Sequence, residues 1–125
     1  MGDCHGGPAF AVFDPVMTAP ISGCKAVGTA GVNPATGQLA GPDVYSQAKQ
    51  ILESFRIMLE SAGSDLNHII HVNVFLKDMR DFEEMNRAYI DMMGDHRPAR
   101  TVIGVAELPK PGVLLTMNLT AVTKE

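Results

Sequence analysis

Apolar residues recur along this chain at two different intervals, and the switch between them marks out its elements. Between residues 43 and 62 they fall at Val44, Ala48, Ile51, Leu52, Phe55, Met58, Leu59 and Ala62. Steps of three and four place them on one face of a helix, with Asp43 positioned to cap its start and Gly63 its end. The interval then drops to two. Ile70, Val72, Val74 and Leu76 alternate with His71, Asn73, Phe75 and Lys77, as in a strand with one strongly apolar face. The longer period returns in Phe82, Met85, Tyr89, Met92 and Met93. This second helix opens on Asp81-Phe82-Glu83-Glu84, which resembles a capping box with Asp in first place, and Gly94 stops it.

Outside these segments the pattern predicts strands. Cys24 to Ala30 reads as one, followed by a turn at Asn33-Pro34-Ala35-Thr36-Gly37. Thr101 to Glu107 and Val113 to Val122 read as two more, separated by Leu108-Pro109-Lys110-Pro111-Gly112, after which the chain runs back. In the last strand Leu115, Met117, Leu119 and Ala121 share one face and Thr116, Asn118 and Thr120 the other. The order strand, helix, strand, helix, strand, strand predicts an α+β fold, with two helices packed on one face of a mixed sheet. Residues 1–9 are expected to form a disordered lead-in and residues 10–125 a single domain. Pro15 and Pro20 interrupt regular structure early in that span.

Composition narrows the function classes. The 125 residues are 46% hydrophobic and carry a formal net charge of -4, enough for one core without a structural metal. No run approaches the roughly 18 to 20 apolar residues of a membrane span, and the first residues lack a secretory signal pattern. The expected location is cytoplasmic. With only Cys4 and Cys24, no disulfide framework is expected and a reducing compartment fits. The acidic balance, without a run of Lys or Arg, argues against nucleic acid as the principal partner.

Few residues carry chemistry by pattern alone. His68 and His71 are three apart, but an odd spacing in an alternating strand sends side chains to opposite faces, so they make poor co-ligands. Cys24 reads as a small core residue rather than a nucleophile, because nothing places a base beside it. Gly28, Gly31, Gly37 and Gly41 match neither a dinucleotide fingerprint nor a P-loop. The methionines of the second helix read as core packing. His96-Arg97-Pro98-Ala99-Arg100 is more informative. Pro98 biases Arg97 toward extended backbone, and Arg100 stands where a strand begins, at a sheet end where clefts form. There a guanidinium either takes a ligand carboxylate through two parallel hydrogen bonds or pairs with one of 14 acidic side chains. Spacing alone favours the ordinary ion pair.

A longer succession of motifs resembles a known family. Thr29-Ala30-Gly31, Asn33 to Gly37, Leu59-Glu60-Ser61-Ala62-Gly63, Val74 to Met79 with Asp81-Phe82 and Asn86, Pro98-Ala99-Arg100-Thr101, and Leu108-Pro109-Lys110 run in register with the Rid family of reactive intermediate deaminases, also called YjgF or L-PSP. The resemblance covers Cys24 to Val122. It implies a chorismate-mutase-like (YjgF-like) α+β fold, assembled as a homotrimer with clefts between subunits. Members hydrolyse enamines and imines such as 2-aminoacrylate and 2-aminocrotonate to 2-keto acids and ammonia, with no cofactor or metal. Carried onto this chain, the substrate-binding positions are Arg100, Val102, Ala30 and Gly31, with Arg100 clamping the carboxylate and backbone N–H groups near Val102 assisting.

The chain also departs from the family pattern. In well-characterised deaminase members a glutamate on the final strand positions the attacking water, and Thr116 stands at the equivalent place. A neutral hydroxyl orients water but is a poor base near neutral pH. Ala30 replaces a frequent serine, Val102 a common cysteine and Ile21 a frequent tyrosine, and the segments after Gly31 and before Pro98 are short. Glu107 could supply a carboxylate from a neighbouring subunit, although a solvated strand end is its plainer role. Three functions are therefore weighed. The first is an imine and enamine deaminase with Arg100 as anchor and Thr116 as a weak water-orienting group. The second is a trimer that binds small carboxylates, such as keto acids, with little or no catalysis. The third is the endoribonuclease label that travels with the family, the weakest of the three given the net charge.

Overall fold

A computed structural model describes residues 24–123. The expected lead-in at 1–9, the segment with Pro15 and Pro20, and Cys4 and Ile21 lie outside the described residues. The elements are β1 (Cys24–Ala30), α1 (Val44–Ser61), a 3₁₀ turn (Leu66–His68), β2 (Ile69–Leu76), a second 3₁₀ turn (Met79–Asp81), α2 (Phe82–Met93), β3 (Ala99–Gly104) and β4 (Leu115–Val122). The fold is α+β, as the hydrophobic pattern predicts. The strands form one mixed sheet in the order β1-β4-β2-β3.

The two final strands do not pair with each other as a simple return would have them. β4 inserts between β1 and β2, antiparallel to both, while β3 runs parallel to β2 at the edge. Burial explains the choice. Leu115, Met117, Leu119 and Ala121 of β4 are all buried, and a strand with so continuous an apolar face gains most from a central position. Four of the six residues of β3 are exposed, which an edge strand tolerates.

Both helices enter the same core. Val44, Ala48, Ile51, Leu52, Phe55, Met58 and Leu59 of α1 and Met85, Ala88, Tyr89 and Met93 of α2 meet Val27 of β1, Val72, Val74 and Leu76 of β2, and the apolar face of β4. The Asp43 carboxylate accepts from the Ser46 N–H at 2.9 Å and caps α1. Its other end closes as a Schellman turn: Gly63 takes φ +82°, its N–H reaches Glu60 O, and the Ser64 N–H reaches Leu59 O. Asp81 makes no side-chain cap on α2, contrary to the capping-box pattern. The 3₁₀ turn leading into α2 removes the extended backbone such a cap needs, and Asp78 caps that turn instead through the Arg80 N–H. In β2 an irregularity between Ile69 and His71 shifts the register. Ile69 is therefore the buried residue and Ile70 is exposed, the reverse of strict alternation. Cys24 is buried, as expected of a small core residue. No described helix is long and apolar enough to cross a membrane.

Candidate functional site

The site starts from one helical face. Phe82, Asn86 and Tyr89 are spaced i, i+4, i+7 on α2 and so stand in a row, and β3 carries Arg100 against them. The Arg100 Nη1 donates to Asn86 Oδ1 at 2.7 Å. Its guanidinium carbon lies 4.5 Å from the centre of the Tyr89 ring and 5.7 Å from that of Phe82, within the range where a cation is attracted to an aromatic face by about 1 kcal/mol. Among the described residues no carboxylate pairs with Arg100. The cation is thus oriented by a neutral amide and an aromatic ring, which fix its direction without cancelling its charge. Of its five N–H donors, only those on one nitrogen are engaged by a described residue.

Arg100 opens onto a hollow of about 390 Å³, lined by Asn86, Tyr89, Ile90, Arg97, Pro98 and Arg100, within the size range of small-molecule sites. Tyr89 is 3% exposed, and its hydroxyl has no hydrogen-bond partner among the described residues. Burial pushes that phenol above its ordinary value of 10.0, against the opposing pull of the Arg100 and Arg97 charges. It is a neutral donor near neutral pH.

The other residues carried over by resemblance are elsewhere. Val102 lies two residues along β3 from Arg100, on the same face, and packs against the core. Thr116 and Ala30 are register partners on β4 and β1, and both are buried. They face away from the helices, whereas Arg100 faces toward them, as the alternation of β3 and β4 dictates. Two strand spacings and three residues separate Thr116 from Arg100, roughly 14 Å within one chain. Gly31 follows β1 at the edge opposite β3. A Cβ there would come within 2.8 Å of the Gln47 backbone, so close helix packing by itself accounts for glycine. Glu107 is exposed beyond β3. His68 Nδ1 and Asp65 Oδ1 are 2.6 Å apart, and no metal-holding group of three or more His, Cys, Asp or Glu exists among the described residues.

Periodicity assigns Tyr89 to the core and gives Asn86 no partner. The available signal was a polar residue inside an aromatic row at helical spacing, which leaves one hydrogen-bonding group facing whatever crosses α2. Gln47 carries no such signal, since a lone amide inside an apolar stripe reads as surface. It is in fact fully buried: its Nε2 donates to Gly41 O and Gly112 O, and its Oε1 accepts from the Leu114 N–H.

Comparison with known proteins adds four relationships. The family model described as Endoribonuclease L-PSP matches residues 23–123. A RutC family protein of Pyrococcus horikoshii is 43% identical over 79 residues, 63% of this chain and 63% of that protein. The Escherichia coli protein named 2-iminobutanoate/2-iminopropanoate deaminase is 39% identical over 82 residues, again 63% of each. The chain thus aligns with slightly less than two thirds of these two relatives. Among solved structures, yeast Mmf1 superposes with a TM-score of 0.79 at 34% identity, covering 94% of this chain and 92% of that one.

Proposed function

The chain belongs to the Endoribonuclease L-PSP family, that of the YjgF and Rid proteins, and we propose that it hydrolyses 2-imino and 2-enamino acids to 2-keto acids and ammonia. The observation that carries this reading is Arg100, a guanidinium held by Asn86 and Tyr89, unpaired by any described acid, at the mouth of a small hollow. A relative 39% identical bears the name of that activity.

In this reading Arg100 takes the substrate carboxylate and fixes the adjacent C=N carbon relative to an attacking water. Water adds through oxygen to that carbon, and one of its protons passes to the nitrogen to give a carbinolamine. The remaining hydroxyl proton then passes to the nitrogen, the C–N bond breaks, and ammonia leaves as the carbonyl forms. The water would be oriented by Thr116 of a neighbouring protomer. Ala30 and Thr116 sit toward the β1 side of the sheet and Arg100 on the opposite edge strand. A homotrimer joining the β3 edge of one protomer to the β1 edge of the next would close the two halves into one cleft, with Val102 and Gly31 contributing backbone. The cytosol suits such short-lived intermediates.

A second reading, a keto-acid-binding trimer with little catalysis, is favoured by Thr116 itself, because a neutral hydroxyl is a feeble base. One assay separates the two. With a threonine dehydratase and threonine, the wild type is expected to accelerate 2-keto acid release and Arg100→Ala to lose at least about 100-fold of that acceleration, the order expected when a substrate-positioning charge is removed. Acceleration surviving in Arg100→Ala rejects the carboxylate anchor. No acceleration by the wild type, together with measurable 2-oxobutanoate binding, selects the binder.

A further inference from the structure

The hollow in front of Arg100 contains a second cation. Arg97 lines it together with Arg100, and no acidic side chain does. An odd separation of three residues would direct the two guanidiniums to opposite sides of an ideal strand. Arg97, however, precedes β3 in irregular backbone, and both side chains border the same space. The Arg97 Nη1 is bonded to the carbonyls of Gly94 and His96, just past the end of α2, which is the ordinary task of a basic residue at a helix C-terminus. That task engages one nitrogen. Among the described residues neither its Nε nor its Nη2 has a partner, and no carboxylate pairs with it.

Between the two cations the wall changes character. Pro98 and Ile90 offer apolar surface, and Tyr89 belongs to the same lining. A ligand complementary to this lining has an anionic group at each end and a short aliphatic spacer. A monoanionic acid would satisfy Arg100 and leave Arg97 facing only solvent.

We propose that this hollow selects 2-keto and 2-imino dicarboxylic acids over their monocarboxylic analogues, with Arg100 on the 1-carboxylate and Arg97 on the distal one. The inference rests on the carboxylate-anchor reading above and adds the substrate class and the residue that sets it. Because Arg97 is largely exposed, solvent screens its contribution, and the preference is expected to be roughly two- to fivefold.

Calorimetric titration of the full chain with 2-oxoglutarate and with 2-oxobutanoate at physiological ionic strength tests this. The wild type should bind the dicarboxylate more tightly by that factor. Arg97→Gln should bring the ratio close to one and Arg97→Glu below one, with circular dichroism confirming that both variants are folded. Arg87→Gln removes a cation that pairs with Glu84 on the exposed side of α2 and should leave the ratio at its wild-type value. Equal affinities in the wild type, a ratio that survives Arg97→Gln, or an equal loss of preference in Arg87→Gln would each overturn the dicarboxylate inference while leaving the Arg100 anchor intact. Failure to bind either acid overturns both.

Discussion

Arg100 and Gln47 show how one polar group inside an apolar setting acquires a purpose from its partners. Arg100 meets an amide oxygen and a ring rather than an acid, so its charge stays available. Gln47 does the opposite: both donors of its amide and its oxygen are engaged by backbone, joining α1 to the Gly41 loop and to the approach to β4. Replacing it by Leu would leave two carbonyls and one N–H without their partner in a part-buried setting. Each such group costs about 1–3 kcal/mol when burial is complete. Partial access to water reduces the sum, and Gln47→Leu is expected to lower unfolding free energy by about 3 kcal/mol, read from urea denaturation midpoints at unchanged slope. An unchanged midpoint would show that water replaces the amide without cost. The Arg97–Pro98–Ala99–Arg100 segment was legible in the sequence as a candidate binding element, whereas the role of Gln47 was not, because its three partners lie in loops 6 and 65–67 residues away.

At the scale of elements, ends were as informative as interiors. The start of α1 was readable because Asp43 needs only the N–H three residues on, a purely local requirement. Its carboxyl is held below the ordinary 3.8, first by the hydrogen bond from the Ser46 backbone. A folded-state value below the unfolded one contributes stability above the unfolded value and loses it as pH falls through the folded one. Acidification from pH 5 to below about 3.8 should therefore lower the thermal midpoint, and part of that drop should be absent in Asp43→Ala. An identical acid response in both proteins would assign the drop to other carboxylates. The start of α2 misled by the same local logic, since Asp81 has the right identity but follows a 3₁₀ turn whose backbone denies it the capping geometry. The irregularity in β2 had no local signature at all. Ile69 and Ile70 are chemically identical, and which of them is buried depends on pairing with β4.

Across the whole molecule, the helices cover one face of the sheet, and Phe75, Ile103, Thr116, Asn118 and Thr120 lie on the other. The candidate groups are divided between its edges, which is why a multi-subunit cleft enters the functional reading. Native mass spectrometry is expected to give three times the 13.4 kDa chain mass, with no stable monomer at micromolar concentration. A monomer retaining full imine hydrolysis would refute the shared cleft. The sequence by itself determined the element types and order, the apolar faces, the α1 cap and the arginine at the head of β3, because periodicity, capping and the residue preceding a proline act over a few residues. Only the tertiary structure decided that β4 lies between β1 and β2, that Arg100 meets Asn86 and Tyr89, and that Arg97 shares its hollow. Those relations depend on which strand gains most from burial, and so on contacts between segments distant along the chain.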